Sequence, residues 1–274
     1  ALIPSLLLAG FTYRYWLAIA LSVPALLIML AFAPLFLEKP NTLPASSVPI
    51  KIMSYNIWGR NKTVQEAANL IREEKPDILL LQEDYYAVSA ILHPQLKELY
   101  EDQPLYLVAE PRMGQTIISR YPIVPIEASY RNGRAQKIWI DTPIGQFQVW
   151  NVHTKTPYRD WEGQTQQVRY LAQEISLTSE PLIVGGDFNS PELAAPYRLI
   201  NRYLKNAHWQ AGFGLGATYP KIGHRFKGIP IITPVLRIDH IFYSNHFVAH
   251  NSYTLSKSGG SDHYPIVAEL SLVE

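Results

Sequence analysis

The sequence predicts a mixed α/β protein in which β-sheet packs on β-sheet and helices lie outside. Segments with helical spacing of apolar residues occur among many short apolar runs typical of strands. Several of these runs follow one another without an intervening helix, which is typical of antiparallel pairing. A hydrophobic content of 47% in 274 residues is enough for one large domain with a sizeable core.

The N-terminal region, residues 1–37, is apolar. Within it, Tyr15–Leu37 contains 23 residues without a charge, and about 20 apolar residues span a bilayer as a helix. We therefore predict a membrane-spanning helix at 15–37 and interpret residues 1–11 as the end of a preceding membrane helix. A signal peptide cleaved near Ala45-Ser46-Ser47 is the alternative, but the length of the apolar segment favours a retained anchor.

Residues 38–49 contain three prolines and no apolar periodicity, which predicts a linker before a domain that covers 50–274. The flanking charges hardly specify an orientation in the membrane. Arg14 precedes the apolar segment and Lys39 and Lys51 follow it, so the positive-inside rule leans slightly towards a cytoplasmic domain.

The first half of the domain begins with an alternating strand, Ile50–Tyr55. A helix is predicted at 63–74 from the spacing of its apolar residues, and a buried strand follows at Ile78–Leu81. A second helix is predicted at 88–99. Shorter strands then follow at 105–109, 115–119, 123–130, 136–141 and 146–152.

In the second half, Asp160 is suited to cap a helix that continues to residue 177. A short strand at Pro181–Val184 and a helix at 191–204 come next. Residues 206–234 are rich in glycine and proline and predict a long loop. The chain closes with strands predicted at 235–243, 247–255 and 264–271.

A polar cluster stands at the end of each of six apolar runs. Strands that end at one sheet edge would bring these carboxylates, imidazoles and amides together, and such a set suits divalent-metal hydrolysis of a phosphate ester. The clusters read SYNIWG at 54–59, LLLQED at 79–84, NVHT at 151–154, GGDFNSP at 185–191, RIDHIFYS at 237–244 and SGGSDHYP at 258–265.

In order and in wording, these clusters resemble the endonuclease/exonuclease/phosphatase superfamily, from about Ile50 to the C-terminus. The resemblance implies the deoxyribonuclease I-like fold, a four-layer α/β/β/α sandwich with the site at one rim. It also implies hydrolysis of phosphate esters with Mg²⁺ or Mn²⁺. Membrane-anchored bacterial members are similar in layout, which implies a bacterial inner-membrane protein with an extracytoplasmic domain.

Glu83 is the best candidate metal ligand. A carboxylate directly after a buried apolar run is costly to bury without a cation or a partner, although a solvent-facing glutamate at a strand end is also common. The resemblance implies that Asn56 orients Glu83 and that Asp262 faces the metal. Asp84 is interpreted as a solvated neighbour. Trp58 stands where some members carry an acidic residue, and it either shapes the pocket or packs at the rim.

The catalytic candidates are Asp187, Asn189, His153, Asp239 and His263. The resemblance implies that Asp187 orients or deprotonates the attacking water and that Asn189 positions it or binds a phosphoryl oxygen. It also implies a phosphate-stabilising His263 held charged by Asp239, and a second phosphate contact from His153. From the residues alone, the Asp-Phe-Asn run could equally form an Asx-type turn, and His153 could be structural.

Composition narrows the class of protein. The chain has no cysteine, which excludes disulfides, thiolate metal sites and cysteine nucleophiles. Residues 50–274 carry 22 basic and 22 acidic residues, and this neutrality disfavours a duplex-DNA enzyme, which usually has a basic footprint. The leading hypothesis is a membrane-tethered phosphodiesterase or phosphatase, for which a lipid-linked substrate is suited. A nuclease of the same fold and a non-catalytic binding module are the alternatives, and the intact residue set argues against the latter.

Overall fold

The computed structural model describes residues 15–37, 39, 49–97, 99, 105–126, 135–226 and 228–273. Residues 1–11, most of the predicted linker 38–49 and the end of the predicted strand 123–130 lie outside the described residues.

The N-terminal helix α1 (Tyr15–Phe32) buries none of its side chains and continues into a 3₁₀ turn at Ala33–Phe36. The segment Tyr15–Phe36 is long and apolar enough to cross a membrane, with a mean hydropathy of 2.4. A signal sequence can also meet this criterion of length and composition. Because α1 is apolar on all its faces and exposed on all of them, it is not a core helix of the domain.

The residues that follow α1 are in contact with the domain. Leu35 is completely buried, and its carbonyl accepts a hydrogen bond of 2.7 Å from the Gly214 amide. Lys39, which the sequence analysis assigns to the linker, donates from Nζ to the carbonyls of His208, Trp209 and Gly212 at 2.7–3.0 Å. The exit of the helix is thereby fixed to the domain that follows it.

The domain contains fourteen strands and five helices among the described residues. Its first half comprises β1 (Ile50–Asn56), α2 (Val64–Glu74), β2 (Ile78–Gln82), α3 (Tyr86–Leu96), β3 (Tyr106–Glu110), β4 (Gln115–Ser119), β5 (Ile123–Pro125), β6 (Ala135–Thr142) and β7 (Gly145–His153). Its second half comprises α4 (Trp161–Leu177), β8 (Leu182–Asp187), α5 (Ala195–Ile200), β9 (Lys205–Asn206), α6 (Ala207–Ala211), β10 (Arg225–Phe226), β11 (Ile229–Pro230), β12 (Asp239–Tyr243), β13 (Phe247–Thr254) and β14 (Ile266–Leu272).

Two six-stranded sheets form the centre of the molecule. One has the order β13-β14-β1-β2-β4-β3 and the other β5-β6-β7-β8-β12-β9. Successive strand residues point to opposite faces, so Ile52 lies between the sheets while Met53 packs under α2 and α3. Helices α4 and α5 cover the other sheet in the same way. The predicted four-layer α/β/β/α sandwich is confirmed.

Two predicted elements differ from the observed ones. The helix predicted at 191–204 is shorter, Ala195–Ile200, because the Ala194 amide bonds to the Pro191 carbonyl and closes a turn first. The segment predicted as a loop at 206–234 contains α6 and the small β10-β11 hairpin. The helix from Asp160 is confirmed, and Asp160 Oδ1 accepts from the Gly163 amide at 2.8 Å.

Candidate active site

The sheets bring the polar strand ends to one rim. β1 and β2 run parallel with Asn56 opposite Gln82, and β7 and β8 run parallel with His153 opposite Asp187. β12 adds Asp239 opposite Asp187 from the other side. Because the two sheets pack face to face, the ends of β1 and β8 meet, and Asn56 Nδ2 donates to Asp187 Oδ2 at 3.0 Å.

Asp187 is at the centre of the site and is almost completely buried. Asn189 donates to it twice, from its amide to Oδ1 at 2.8 Å and from Nδ2 to Oδ2 at 3.1 Å. The left-handed backbone of Asn189 (φ 46°) permits this geometry. Burial, and then the charge of Asp239, raise the pKa of Asp187 to about 7.

The two glycines before Asp187, Gly185 and Gly186, act inside a strand. Both lie in β8. A Cβ on Gly186 would lie 1.9 Å from the Val152 carbonyl oxygen, and its φ of 146° is one that side chains rarely adopt. Glycine here lets β8 approach β7 closely enough to place Asp187 beside His153.

His263 and Asp239 form a buried pair. Nδ1 of His263 lies 2.9 Å from Asp239 Oδ2, and the Tyr219 ring packs on the imidazole with 4.8 Å between centroids. Burial opposes the charged imidazole, but the charge and hydrogen bond of Asp239 together with the charges of Asp187 and Asp262 outweigh it, and the pKa of His263 is raised to about 10. His263 is therefore a cation at neutral pH.

Two histidines approach the same oxygen of Asp187. Nε2 of His153 lies 3.8 Å from Asp187 Oδ2, and Nε2 of His263 lies 3.9 Å from it. These distances are too long for direct hydrogen bonds. Both ring nitrogens therefore lie beside the Asp187 carboxylate at the rim, within reach of a group that binds between the two histidines.

Glu83 and Asp262 lie on the other side of Asn56. Glu83 adopts a left-handed backbone (φ 56°), and its Oε2 accepts from the Gly59 amide at 2.9 Å while Oε1 lies 3.5 Å from Asn56 Nδ2. Asp262 Oδ1 is buried without a partner. Burial raises the pKa of Asp262, and the nearby Glu83 carboxylate adds to this rise. An unpartnered buried carboxylate oxygen beside a second carboxylate fits a bound divalent cation.

A second group of side chains could also hold a metal ion. Asp187, Asp239 and His263 each offer a ligand atom, and these atoms lie within 4.8 Å of one another. The site therefore contains carboxylates on both sides of Asn56.

A profile of the endonuclease/exonuclease/phosphatase family matches residues 53–263, well over half of the chain. This chain belongs to that family. Among curated proteins, no sequence matches it significantly. The family members with solved structures nevertheless share its fold.

Three of these structures show the extent of the likeness. An endonuclease/exonuclease/phosphatase from Bacteroides vulgatus is 17% identical, with a TM-score of 0.66 over 82% of this chain and 100% of that one. ANGEL2, a 2′,3′-cyclic phosphatase, is 17% identical, with a TM-score of 0.58 over 83% and 97%. A mannosyl-6-phosphatase from Bacteroides thetaiotaomicron is 18% identical, with a TM-score of 0.58 over 81% and 99%.

One prediction about the residues around Glu83 was wrong. Asp84 is not a solvated neighbour of Glu83 but is completely buried. Its Oδ2 accepts from Thr116 Oγ1 at 2.6 Å and lies 2.6 Å from His93 Nε2. Asp84 therefore anchors the turn that carries Glu83, and the only sequence signal for it was its place beside a buried strand.

The sequence analysis missed other supporting residues. Asn151 donates from Nδ2 to the Leu81 carbonyl at 2.8 Å, which ties the two sheets together below the site. Ser261 Oγ donates to the Asn56 carbonyl at 2.7 Å and so places the 258–265 loop beside β1. Tyr219, from the segment predicted as a loop, has no sequence feature that predicted its contact with His263.

An open cavity of ≈ 600 Å³ adjoins the candidate active site. Trp58 and Gly260, which flank Asn56 and Asp262 in the chain, lie in its wall together with Lys62 and Lys221. Trp58 has a left-handed backbone (φ 61°) and is half-buried. Of the two interpretations of Trp58, the one in which it shapes a pocket agrees with this position.

Proposed function

We propose that this protein is a membrane-tethered, divalent-metal-dependent hydrolase of phosphate esters. The observation that carries the proposal is the position of the Asn56 side chain between two groups. Its Nδ2 donates to Asp187 at 3.0 Å and lies 3.5 Å from Glu83 Oε1. A candidate base and a candidate metal ligand are thus held at a fixed separation by one amide.

Asp187 is suited to orient and deprotonate the attacking water. It lies at the rim, its two oxygens are held by Asn189 and Asn56, and His153 is 3.8 Å away. A base whose position is fixed by hydrogen bonds loses little freedom in the transition state. Asn189 is assigned the positioning role, since both of its side-chain donor contacts are made within the protein.

His263 is suited to stabilise the phosphoryl group. Asp239 holds its Nδ1, so Nε2 carries the proton that can be donated to a phosphoryl oxygen. His153 is assigned a second contact of the same kind. Asp239 acts through His263, because its contact with that ring keeps the imidazole charged and correctly oriented.

The proposed metal residues are Glu83 and Asp262, with Asn56 holding Glu83. When bound, the cation would neutralise charge on the phosphoryl oxygens as a Lewis acid. We assign it to this side of the site and not to the Asp187–Asp239–His263 group. A metal ligand must be a neutral imidazole, whereas His263 is held in its charged form by Asp239.

The membrane tether is supported by the contacts after α1. A cleaved signal peptide would leave the domain without Leu35 and Lys39, and three carbonyls would lose their common donor. The domain therefore uses the residues directly behind the apolar helix, which favours retention of that helix. A tether confines the enzyme to a membrane surface and suits a lipid-linked phosphate ester.

The type of ester is the remaining choice. The solved relatives include proteins named as a 2′,3′-cyclic phosphatase and a mannosyl-6-phosphatase, so the fold supports both diester and monoester chemistry. The near neutrality of residues 50–274 disfavours duplex DNA as a substrate.

A substrate panel with the full chain in detergent or vesicles tests the proposal. It should include bis-p-nitrophenyl phosphate, p-nitrophenyl phosphate, plasmid DNA and polyprenyl pyrophosphate, each with Mg²⁺, Mn²⁺ and chelator. We expect metal-dependent release of product from a small ester and from the lipid-linked compound. Efficient plasmid nicking without lipid hydrolysis would favour a nuclease, and no hydrolysis of any compound would favour a binding module.

A further inference from the structure

The charges of the chain are distributed unevenly. Residues 193–238 contain seven of the 24 Lys and Arg residues and none of the 23 Asp and Glu residues. This acid-free segment therefore carries +7, while the remaining 17 basic and 23 acidic residues give the rest of the chain −6. One of its cations, Arg237, is buried against Glu192 at 2.6 Å, whereas Arg198, Arg202, Lys205 and Arg225 are exposed.

The acid-free segment also exposes large apolar side chains. Its second half, Phe213–Leu236, is called the rim segment below. Monomeric domains rarely expose apolar groups in such density unless the surface binds a partner. The exposed large apolar side chains described in the rim segment are Phe213 (68%), Leu215 (53%), Ile222 (58%), Ile229 (70%), Ile232 (83%), Val235 (64%) and Leu236 (39%).

The rim segment begins where the anchor ends. The Gly214 amide donates to the Leu35 carbonyl, and the rings of Phe36 and Phe213 meet edge to face with 6.0 Å between centroids. Phe36 and Leu37 are themselves more than half exposed. The apolar surface of the anchor thus continues onto Phe213.

The same segment then reaches the active site. Tyr219 packs on His263, and the Lys221 amide donates to the Asp262 carbonyl at 2.9 Å. Tyr219 follows Gly214 by five positions, so their Cα atoms are at most about 18 Å apart. The active site is therefore close to the point at which the apolar helix meets the domain.

We propose that the rim segment is a bilayer-binding surface, with its isoleucines in the lipid interface and with Arg225 and the other exposed cations of the acid-free segment on anionic headgroups. Apolar side chains interleaved with Lys and Arg, without acidic residues, are the combination that binds such an interface. This inference rests on the membrane tether of the proposed function. It deepens that function, because the rim segment contacts both the anchor and the active site. A site held at the bilayer in this way takes its phosphate ester from the membrane surface.

The absence of cysteine in the chain makes a direct test possible. Ile232→Cys and Leu177→Cys place one thiol each at positions that are 83% and 78% exposed. Leu177 is the matched control, because α4 begins beside the site and carries its last residue about 25 Å away from it. Each full-length variant is labelled with a fluorophore and reconstituted into phosphatidylcholine–phosphatidylglycerol vesicles that contain spin-labelled lipid.

We expect lipid-borne quenching at position 232 to exceed that at position 177 by at least about threefold. It should fall by about half or more when phosphatidylglycerol is omitted, because the cations lose their anionic partners. Equal, weak quenching at both positions would overturn the proposal. So would a label at 232 that ignores lipid but responds to added duplex DNA, which would make this a nucleic-acid surface.

The same samples separate this inference from the proposed function. Quenching needs no turnover, whereas hydrolysis of bis-p-nitrophenyl phosphate needs no bilayer. Hydrolysis by both variants with no quenching at 232 would refute the bilayer surface and leave the hydrolase intact. Strong quenching at 232 without hydrolysis of any ester would refute the hydrolase alone.

Discussion

The active-site rim and the acid-free segment at 193–238 are neighbours with opposite properties. The rim gathers carboxylates, and Asp187 and Asp239 are each only 1% exposed. The segment contains no carboxylate and directs isoleucines and arginines to the surface. The rim holds its charged side chains in fixed positions within the protein, whereas the acid-free segment exposes charged and apolar side chains on the surface.

Buried histidines show the same contrast. Around His263, burial is outweighed by the carboxylates of Asp239, Asp187 and Asp262, which raise its pKa to about 10. In the segment, burial and then the nearby Arg237 lower the pKa of His208 to about 3. Both rings are buried, so the neighbouring charges decide which histidine is a cation. On the proposed function, catalysis and access to substrate belong to different parts of the domain, and we therefore expect that each can be altered separately.

The largest expected effect is that of substituting Asp187, the proposed base. Asp187→Asn keeps the shape of the side chain but removes its charge, and we expect turnover to fall by about 10²-fold or more. The loss should be equal for a soluble diester and for a lipid-linked ester. Turnover numbers for both substrates check this, with a circular dichroism melt to show that the variant is folded. A loss confined to one substrate would mean that the rim also selects the substrate.

Next in size is the effect of a metal-ligand substitution. Glu83→Gln removes a charge that forms no ion pair with a cationic side chain in the described part of the chain, and the Mg²⁺ concentration for half-maximal activity should rise by at least about tenfold. A metal titration of the initial rate measures it. Glu180→Gln, at an exposed glutamate just before the start of β8, is the matched control and should behave as wild type.

A smaller and selective effect is expected at the anchor contact. Lys39→Met keeps the aliphatic stem but leaves three carbonyls without their donor. Hydrolysis of a bilayer-embedded substrate should fall by about tenfold, since the site loses its fixed position at the membrane. Hydrolysis of a soluble diester should stay within a factor of two. Lys97→Met, at an exposed lysine, controls for loss of charge. Equal losses of activity on the soluble and the embedded substrate would contradict the separation of catalysis from membrane access.

The smallest expected effect concerns pH and stability. The folded-state pKa of His208 is about 3 and the unfolded value about 6.5. The unfolded state therefore binds the proton first, and the contribution of neutral His208 is complete above pH 6.5 and is lost as the pH falls towards 3.

Chemical denaturation of wild type and His208→Gln between pH 4 and 7 measures this contribution. The difference between their free energies of unfolding should change by up to about 1.4 kcal/mol per pH unit. Glutamine can still donate to the Gly214 carbonyl, which His208 Nε2 contacts at 2.9 Å. A difference that does not depend on pH would show that His208 is not held neutral.

The strand-end clusters made the fold and the position of the site predictable. Asn56, Asp187 and His153 each end an apolar run, and parallel strands whose ends meet had to bring them together. The helix at 160–177 was predictable because its cap and its apolar spacing are local. The roles assigned to these residues remain predictions.

Contacts between distant parts of the chain were not predictable. Lys39 lies in a proline-rich stretch, and its acceptors follow about 170 residues later. Asp84 looks like Glu83 in the sequence, and only the fold turns one towards Thr116 and the other towards the site. The acid-free segment is visible in the sequence, but its place between the anchor and His263 depends on packing.

The most direct test of the central claim is the initial rate of bis-p-nitrophenyl phosphate hydrolysis by the full-length protein, measured with Mg²⁺ and then with excess chelator. We expect hydrolysis with the metal, loss of that activity in chelator, and its return when Mg²⁺ is restored. Activity that persists unchanged in chelator would contradict the claim that Glu83 and Asp262 hold a catalytic metal at this rim.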